Sequence, residues 1–374
     1  MIKVGIVGVR GLSTMAGFAG DPRSQVVAFC DLDEQLLERE AARHGVPKTY
    51  RVFEDMLDAD LDVIVVATPM QLHTQQVIAA LQAGKHVLSE VPAAVSLDEL
   101  WWLIEAVEGS GRVYMMAENY LYIPQVQQIA AMVRAGLFGE VYYGEGEYLH
   151  NLNSIVDAVS YKNLWRKHWQ LGRRGLFYPT HSLGPVMKWF AGDRVTEVCC
   201  LGTGSHTRPE FRQDDTSITL CRTAGERLIK LRLDCLSQRP HNLAYYALQG
   251  TAGCYEGPRG LGDDHKVWLG QGQPYRDDAA FAPLADWAAY LPERYQNATE
   301  EQRRAGHWGG DYFIVQDFLD AVAGVAPPAV DVYEACEWTA VGLLAELSAQ
   351  NHGRMMTMPH FRKHMPREEM GLEL

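Results

Sequence analysis

Up to about residue 120, short apolar runs alternate with stretches in which apolar residues return every three or four positions. Lys3 to Gly8, Ser24 to Cys30, Val63 to Ala67, Val87 to Leu88 and Val113 to Met116 read as strands, most of them apolar enough to be buried on both faces. Glu34 to His44 reads as a charged amphipathic helix closed by Gly45, and Phe53 to Leu57 as a short one. Thr74 to Ala83 carries Val77, Ile78 and Leu81 at helical spacing and stops at Gly84. Leu97 to Ser110 sets Leu100, Leu103, Ile104 and Val107 on one face. Strand–helix alternation of this kind predicts an α/β domain over residues 1–120, a doubly wound parallel sheet.

After residue 120 the period changes. Pro124 to Ala135 still reads as a helix, but Gly139 to Tyr148 alternates residue by residue, the pattern of a half-exposed antiparallel strand. Val195 to Gly202, Thr216 to Arg222, Arg227 to Cys235 and Tyr245 to Gly250 read as further strands, and Tyr312 to Ala323 and Tyr333 to Ala349 as closing helices. The prediction for 121–374 is an α+β domain on an open, mostly antiparallel sheet. An open face needs a cover. The segment 257–306 is polar and irregular, rich in Trp, Tyr and Pro, and is expected to wall a site.

Length and charge narrow the function. The 374 residues suffice for two cores, and 47% hydrophobic with 22% charged residues is ordinary for a globular enzyme. A net charge of −13 without a long basic run argues against nucleic acid as partner. No apolar stretch reaches membrane-spanning length, and Met1 to Gly5 runs straight into a strand with no export signal, so the expectation is a cytoplasmic protein. The seven cysteines include no C-x-x-C, which favours reduced thiols over disulfides or a metal site.

Candidate chemistry gathers at strand ends. Gly8-Val9-Arg10-Gly11-Leu12-Ser13 follows the first strand and approximates the G-x-G-x-x-G/A dinucleotide turn, with Arg10 at the second glycine. Asp31 ends the second strand about twenty residues on, where a carboxylate accepts from ribose hydroxyls and repels a 2′-phosphate, favouring NAD over NADP. It also suits a helix N-cap, as does Asp33. Thr68-Pro69 with His73, and Glu90-Val91-Pro92, follow the ends of neighbouring parallel strands, where such sheets bind ligands. Asn119 and Tyr120 emerge at the same edge and are expected to touch nicotinamide or substrate.

Asp62 to Pro69, Leu72-His73 and Gly84 to Pro92 together resemble the Gfo/Idh/MocA oxidoreductase superfamily, whose usual wording there is Ala-Thr-Pro, then His, then Ala-Gly-Lys-His-Val, then Glu-Lys-Pro. The resemblance implies a Rossmann domain and a sugar hydroxyl as substrate. The family's proton-transferring Lys is Val91 here. Further on, Tyr178-Pro179-Thr180-His181 with Leu183-Gly184-Pro185 resembles the NAD-dependent α-N-acetylgalactosaminidases, a glycoside hydrolase branch. Glu90 to Ala94, Gly306 to Tyr312, and Asp331 to Ala335 with Trp338 resemble the same branch. It implies oxidation at C3 of the sugar, loss of the C2 proton, elimination at C1, addition of water and return of the hydride. By that resemblance His181 is the acid/base nearest C3 and Tyr178 its partner. Tyr255 is a weaker candidate for the C2 base. Tyr120, Trp165, Arg166, Arg174 and His307 are candidate substrate contacts. Trp165 reads more readily as core than as a sugar platform, whereas Arg174 serves equally as loop solvation and Asp311 beside His307 as a helix start. The family's habit of covering the open sheet implies a homodimer or homotetramer. A net sugar or polyol dehydrogenase and a non-catalytic cofactor-bound protein are the competing readings, the second resting on Arg10 and Val91.

Overall fold

The computed structural model describes residues 1–157, 164–240, 242–260, 262–270 and 280–362. They form two compact units. The first holds Met1–Glu118, Arg304–Ala340 and, among the described residues, 359–362; the second holds Asn119–Arg303 and Val341–Met358.

The first unit is a six-stranded sheet in the order β3-β2-β1-β4-β5-β6, from β1 (Ile2–Val7), β2 (Ser24–Cys30), β3 (Lys48–Tyr50), β4 (Val63–Val66), β5 (His86–Ser89) and β6 (Tyr114–Met116). Every pairing is parallel, as the apolar runs required. Strand β4 is buried along its whole length, which a sheet covered on both faces demands. Helix Glu34–His44 begins where the Asp33 side chain accepts from the Leu36 N–H and ends at Gly45 in left-handed conformation.

Residues 304–340 pack in this unit, although the periodicity alone assigned them to the second domain. The cause is small residues. A Cβ on Gly17 would lie 2.6 Å from Val315 Cγ2, and one on Gly20 would lie 2.8 Å from Tyr312 Cε2. The short helix Met15–Gly20 therefore accepts helix Gly310–Val322 closely, with Phe18 edge-on to Phe318.

The second unit is a nine-stranded sheet ordered β14-β13-β12-β11-β7-β10-β9-β8-β15. Its strands are β7 (Val141–Leu149), β8 (Val195–Gly202), β9 (Ser217–Thr223), β10 (Leu228–Asp234), β11 (Asn242–Gly250), β12 (Gly253–Glu256), β13 (Lys266–Leu269), β14 (Ala282–Pro283) and β15 (Met356–Thr357). Only β7 and β10 pair in parallel, so the sheet is mostly antiparallel as expected. Strands β12 and β13 fall in stretches that gave no clear alternation. Part of the irregular segment, 261 and 271–279, lies outside the described residues. Its described part packs on helix Pro124–Arg134, where Gln128 Nε2 donates to the Leu284 and Trp287 carbonyls. No described helix is long and apolar enough to cross a membrane.

Candidate active site

In the first unit, the loop after β1 is shaped by two glycines. Gly8 has φ +93°, and a Cβ there would come within 2.4 Å of the Ala67 carbonyl oxygen; at Gly11 the same oxygen would be 2.8 Å away. Left-handed backbone and so close an approach suit glycine alone. Arg10 between them is under no such constraint. Its guanidinium turns outward to Asp33, 2.8 Å away, with both partners exposed. Leu12 O accepts from the Met15 N–H and leads the loop into its helix. Asp31 stands just past β2. Its Oδ2 accepts from the Val9 N–H at 3.0 Å and its Oδ1 from the Asp33 N–H at 2.9 Å. Each carboxylate oxygen keeps a second lone pair for a ribose hydroxyl. A turn that admits no Cβ, beside a carboxylate ending the neighbouring strand, fits a dinucleotide's pyrophosphate and adenosine ribose.

At the other strand ends, His73 is a brace. It is buried, with Nδ1 2.9 Å from Pro92 O and Nε2 2.8 Å from Thr68 O, so it ties the loops after β4 and β5 together. Burial lowers its pKa against the pull of these carbonyls. Thr68 Oγ1 donates to Gln76 Oε1, and Pro69 O accepts from the Leu72 N–H. Glu90 Oε1 accepts from Ser13 Oγ at 2.6 Å, and burial, reinforced by Asp311 and Glu118, pushes its carboxyl up to about 7. Val91 is buried beside it. His307 and Trp308 both hold positive φ, 52° and 58°, ahead of Gly309 at 88°. That strained turn sets His307 Nδ1 2.8 Å from Asp311 Oδ2. Burial works to lower the His307 pKa, but the Asp311, Glu90 and Glu118 carboxylates outweigh it and raise it.

In the second unit, helix Thr180–Trp189 lies across β7. Glycines again make the room: a Cβ on Gly146 would lie 2.0 Å from Ser182 O, and one on Gly144 would lie 2.5 Å from Val186 Cγ1. Pro185 sits inside the helix without an N–H, so the His181 carbonyl loses its usual partner four residues on. The Tyr246 hydroxyl donates to it instead and anchors the residue. His181 is thus buried on the first turn of that helix, and Tyr178 precedes it.

Around that imidazole stand three phenols. Tyr120 stacks on it with ring centroids 4.0 Å apart and planes 21° apart. Tyr178 is edge-on at 5.0 Å, and Tyr148 is tilted at 5.1 Å. Tyr148 also meets Tyr120 at 5.9 Å and Tyr178 at 5.7 Å. Asn119 is buried on the turn Asn119–Tyr122 that carries Tyr120. Arg166 covers Trp165 at 4.5 Å, donates to Gln170 Oε1 at 2.6 Å, and lies near enough to Tyr148 to oppose the rise of its pKa. Imidazole and phenol exchange protons; neither is a metal's usual sole partner. Among the described residues no group of His, Cys, Asp and Glu is arranged to hold a metal ion.

Residues 2–118 match the oxidoreductase family with the NAD-binding Rossmann fold, and residues 122–208 and 204–366 match the glycosyl hydrolase 109 C-terminal domain. The chain belongs to glycosyl hydrolase family 109. A family 109 protein of Saccharopolyspora erythraea is 30% identical over 396 residues, covering 97% of this chain and 83% of that one. One from Shewanella pealeana is 29% identical over 97% of this chain and 86% of its own. Among solved structures, an oxidoreductase domain protein from Kribbella flavida aligns with TM-score 0.79 at 20% identity, covering 96% of this chain and 99% of that one. Levoglucosan dehydrogenase in complex with NADH and levoglucosan aligns with TM-score 0.77 at 19% identity over 96% and 99%. These neighbours share the fold. The family 109 chain is an NAD-dependent enzyme on a Rossmann scaffold.

Two candidate contacts stand elsewhere in this family 109 member. Arg174 Nη2 is 2.7 Å from Asp214 Oδ1, and the fully buried Asp214 also accepts from the Gly175 and Gly204 N–H groups. That guanidinium neutralises a buried carboxylate and pins its loop, a stronger demand than solvation or an anionic ligand. Tyr255 is buried edge-on to Trp189, stacks on His265, and lies 2.8 Å from His265 Nδ1 through its hydroxyl. Neither ring belongs to the His181 cluster. Conversely, Tyr148 went unnoticed, although the strand alternation carried the signal: it shares the helix-covered face of β7 with Gly144 and Gly146.

Proposed function

We propose that this family 109 enzyme cleaves a glycosidic bond with no net redox change, through oxidation at C3, elimination at C1, addition of water and reduction. The observation that carries the reading is the ring of three phenols around His181. Ordinary glycosidases flank the bond with two carboxylates. The carboxylates on β7 are committed elsewhere: Glu145 pairs with Lys230 at 2.7 Å and Glu147 with Arg259 at 3.2 Å, across the sheet from the helix. What remains suits stepwise proton transfer.

Gly8, Gly11, Leu12 and Asp31 would hold NAD by the loop and ribose, with Arg10, Thr68, Pro69, His73, Glu90 and Val91 completing or bracing its site. Bound NAD supplies a reversible hydride acceptor. Val91 carries no proton, so the C3 hydroxyl proton falls to His181, with Tyr178 as its hydrogen-bonding partner. Tyr120, Arg166 and Trp165 bind sugar hydroxyls and ring faces. His307 belongs to the carboxylate-lined edge of the first unit.

The test is a panel of nitrophenyl glycosides, headed by the α-N-acetylgalactosaminide, with nitrophenol and NADH followed together. Nitrophenol release without NADH accumulation supports the reading. NADH accumulating in proportion to substrate makes the protein a net sugar dehydrogenase.

The enzyme is further proposed to be a homodimer or homotetramer. Leu201, Leu220 and Leu228 are exposed on the sheet face opposite helix Thr180–Trp189, beside the charged rows of β7 and β10. Sedimentation that finds only monomer removes this assignment.

A further inference from the structure

Trp308, on the carboxylate-lined edge of the first unit, is a large side chain that the steps above leave unused. Its backbone is held at φ 58°, where a glycine rests without strain and a bulky residue does not. Among the described residues the other non-glycine positions at positive φ are Glu226, His307 and His352, so Trp308 alone carries a large apolar side chain there. The turn around it is closed by hydrogen bonds. The Gly309 N–H donates to Ala305 O at 2.9 Å, the Asp311 N–H to Gly306 O at 3.2 Å, and the Gly310 N–H to His307 O. A Cβ on Gly306 would lie 2.1 Å from Asp311 Oδ2, so the turn is pressed onto the helix that follows it. From this fixed backbone the indole stands 50% exposed. Trp102 is exposed to a similar extent, but it sits in the regular helix Leu97–Ser110 and carries no such strain. Strain and exposure both cost stability, and their combination persists where a ligand uses the side chain.

The place of the turn says what the ring meets. A Cβ on Gly17 would lie 3.1 Å from Asp311 O, so the helix after the turn packs on the helix that follows the dinucleotide loop. Glu90, which accepts from Ser13 of that loop, and Glu118 are close enough to His307 to raise its pKa. The turn therefore belongs to the strand-end edge of the first unit, where such sheets bind ligands.

We propose that Trp308 is the platform for the leaving group of the glycoside, with its indole against the C–H face of a neutral sugar ring. The inference rests on the glycoside-cleaving reading above. In that reading Tyr120, Trp165 and Arg166 bind the sugar that is oxidised, so a ring on the cofactor unit is left for the other half of the substrate. Indole offers a broad apolar face with few torsions to fix. The Asp311, Glu90 and Glu118 carboxylates beside the turn oppose a phosphorylated or carboxylated leaving group, so the partner is neutral. The closed backbone makes the platform a standing one: its order is present before substrate arrives and does not have to be created on binding.

The experiment uses the full chain with its NAD and three substrates built on one sugar that the unmodified enzyme cleaves: a nitrophenyl glycoside, a disaccharide with a neutral hexose as leaving group, and the glycosyl fluoride, whose leaving group has no ring. Trp308→Asn keeps a residue that tolerates left-handed backbone and removes the indole. It is expected to lower kcat/KM about tenfold on both ringed substrates, mostly through KM, and by no more than about twofold on the fluoride. Trp308→Phe should recover most of the loss. Trp308→Gly, which removes strain as well as ring, should show the same pattern with a melting temperature no lower than that of the unmodified enzyme. Equal losses on all three substrates overturn the platform, because a displaced turn acts on every substrate alike. So does a loss confined to the nitrophenyl glycoside, which removes the sugar as the indole's partner. Cleavage that is indifferent to Trp308→Asn removes the platform alone. An unmodified enzyme that accumulates NADH from free sugar and cleaves no glycoside removes the functional reading and the platform with it.

Discussion

The two units carry their chemistry in opposite ways. In the first, the candidate cofactor determinants are features of the backbone, close along the chain: a left-handed Gly8, a close-lying Gly11, and Asp31 locked to the Val9 and Asp33 N–H groups. In the second, the candidate catalytic groups are side chains from three separate segments, Tyr120, Tyr148 and the Tyr178–His181 stretch, gathered where one helix crosses one strand. A backbone site tolerates a changed side chain, and Arg10 at the second glycine of the fingerprint shows it by turning out to Asp33. A side-chain site survives neither the loss of a ring nor a shift of the helix that holds it. The same sheet-edge logic therefore yields one half that is robust to substitution and one half that is not.

Substitutions in each half sharpen the contrast. The largest effect is expected from His181→Ala. Turnover should fall by about 10² to 10⁴-fold, while NAD affinity, read by calorimetric titration, stays within a few-fold. Equal losses in both would break the separation between the halves. Next is Asp214→Asn, which leaves Arg174 without its buried counter-charge and should cost roughly 3–5 kcal/mol of stability in a denaturant titration. Burial alone would raise the Asp214 pKa, but Arg174 and two backbone N–H groups hold it below its ordinary 3.8. A depressed carboxylate stabilises the fold above its unfolded value and ceases to do so as pH falls below it. Acid denaturation should accordingly move to higher pH where that carboxylate is absent. Gly8→Ala should cost about 1–3 kcal/mol, felt first as weaker NAD binding, since its φ and its approach to Ala67 both exclude a Cβ. The smallest effect concerns Glu90. Its folded pKa, raised to about 7 from 4.5, favours the protonated form in the folded state. It therefore stabilises the protein fully below about pH 4.5, loses that contribution as pH rises through 7, and adds nothing beyond. The melting temperature of Glu90→Gln should be flatter across this window.

Much of the first unit's fold and of its candidate cofactor site was legible because the residues concerned are local. Gly8, Gly11 and Asp31 sit in one strand–loop–helix–strand stretch, and their spacing carries the meaning. The docking of residues 304–340 onto the first unit was not, because it depends on Gly17 and Gly20 making room for Val315 and Tyr312 from a distant stretch of chain. The candidate site in the other half showed in the sequence only as its one contiguous piece, Tyr178 to His181. Tyr148 needed the added step of asking which face of β7 its glycines cover. Tyr255 and Arg174 share a limit: a ring or a cation beside a motif says nothing of whether a buried partner already claims it. His265 claims the first and Asp214 the second. The strained pair His307 and Trp308 had no signature beyond the glycines that follow them.

The central claim is that the glycosidic bond is broken by way of a carbon acid, not by direct displacement at C1. Cleavage of a nitrophenyl glycoside in deuterium oxide, followed by magnetic resonance of the released sugar, tests it most directly. The account predicts one deuterium at C2 of the product with no NADH left behind; a product that keeps its original C2 hydrogen throughout would contradict it.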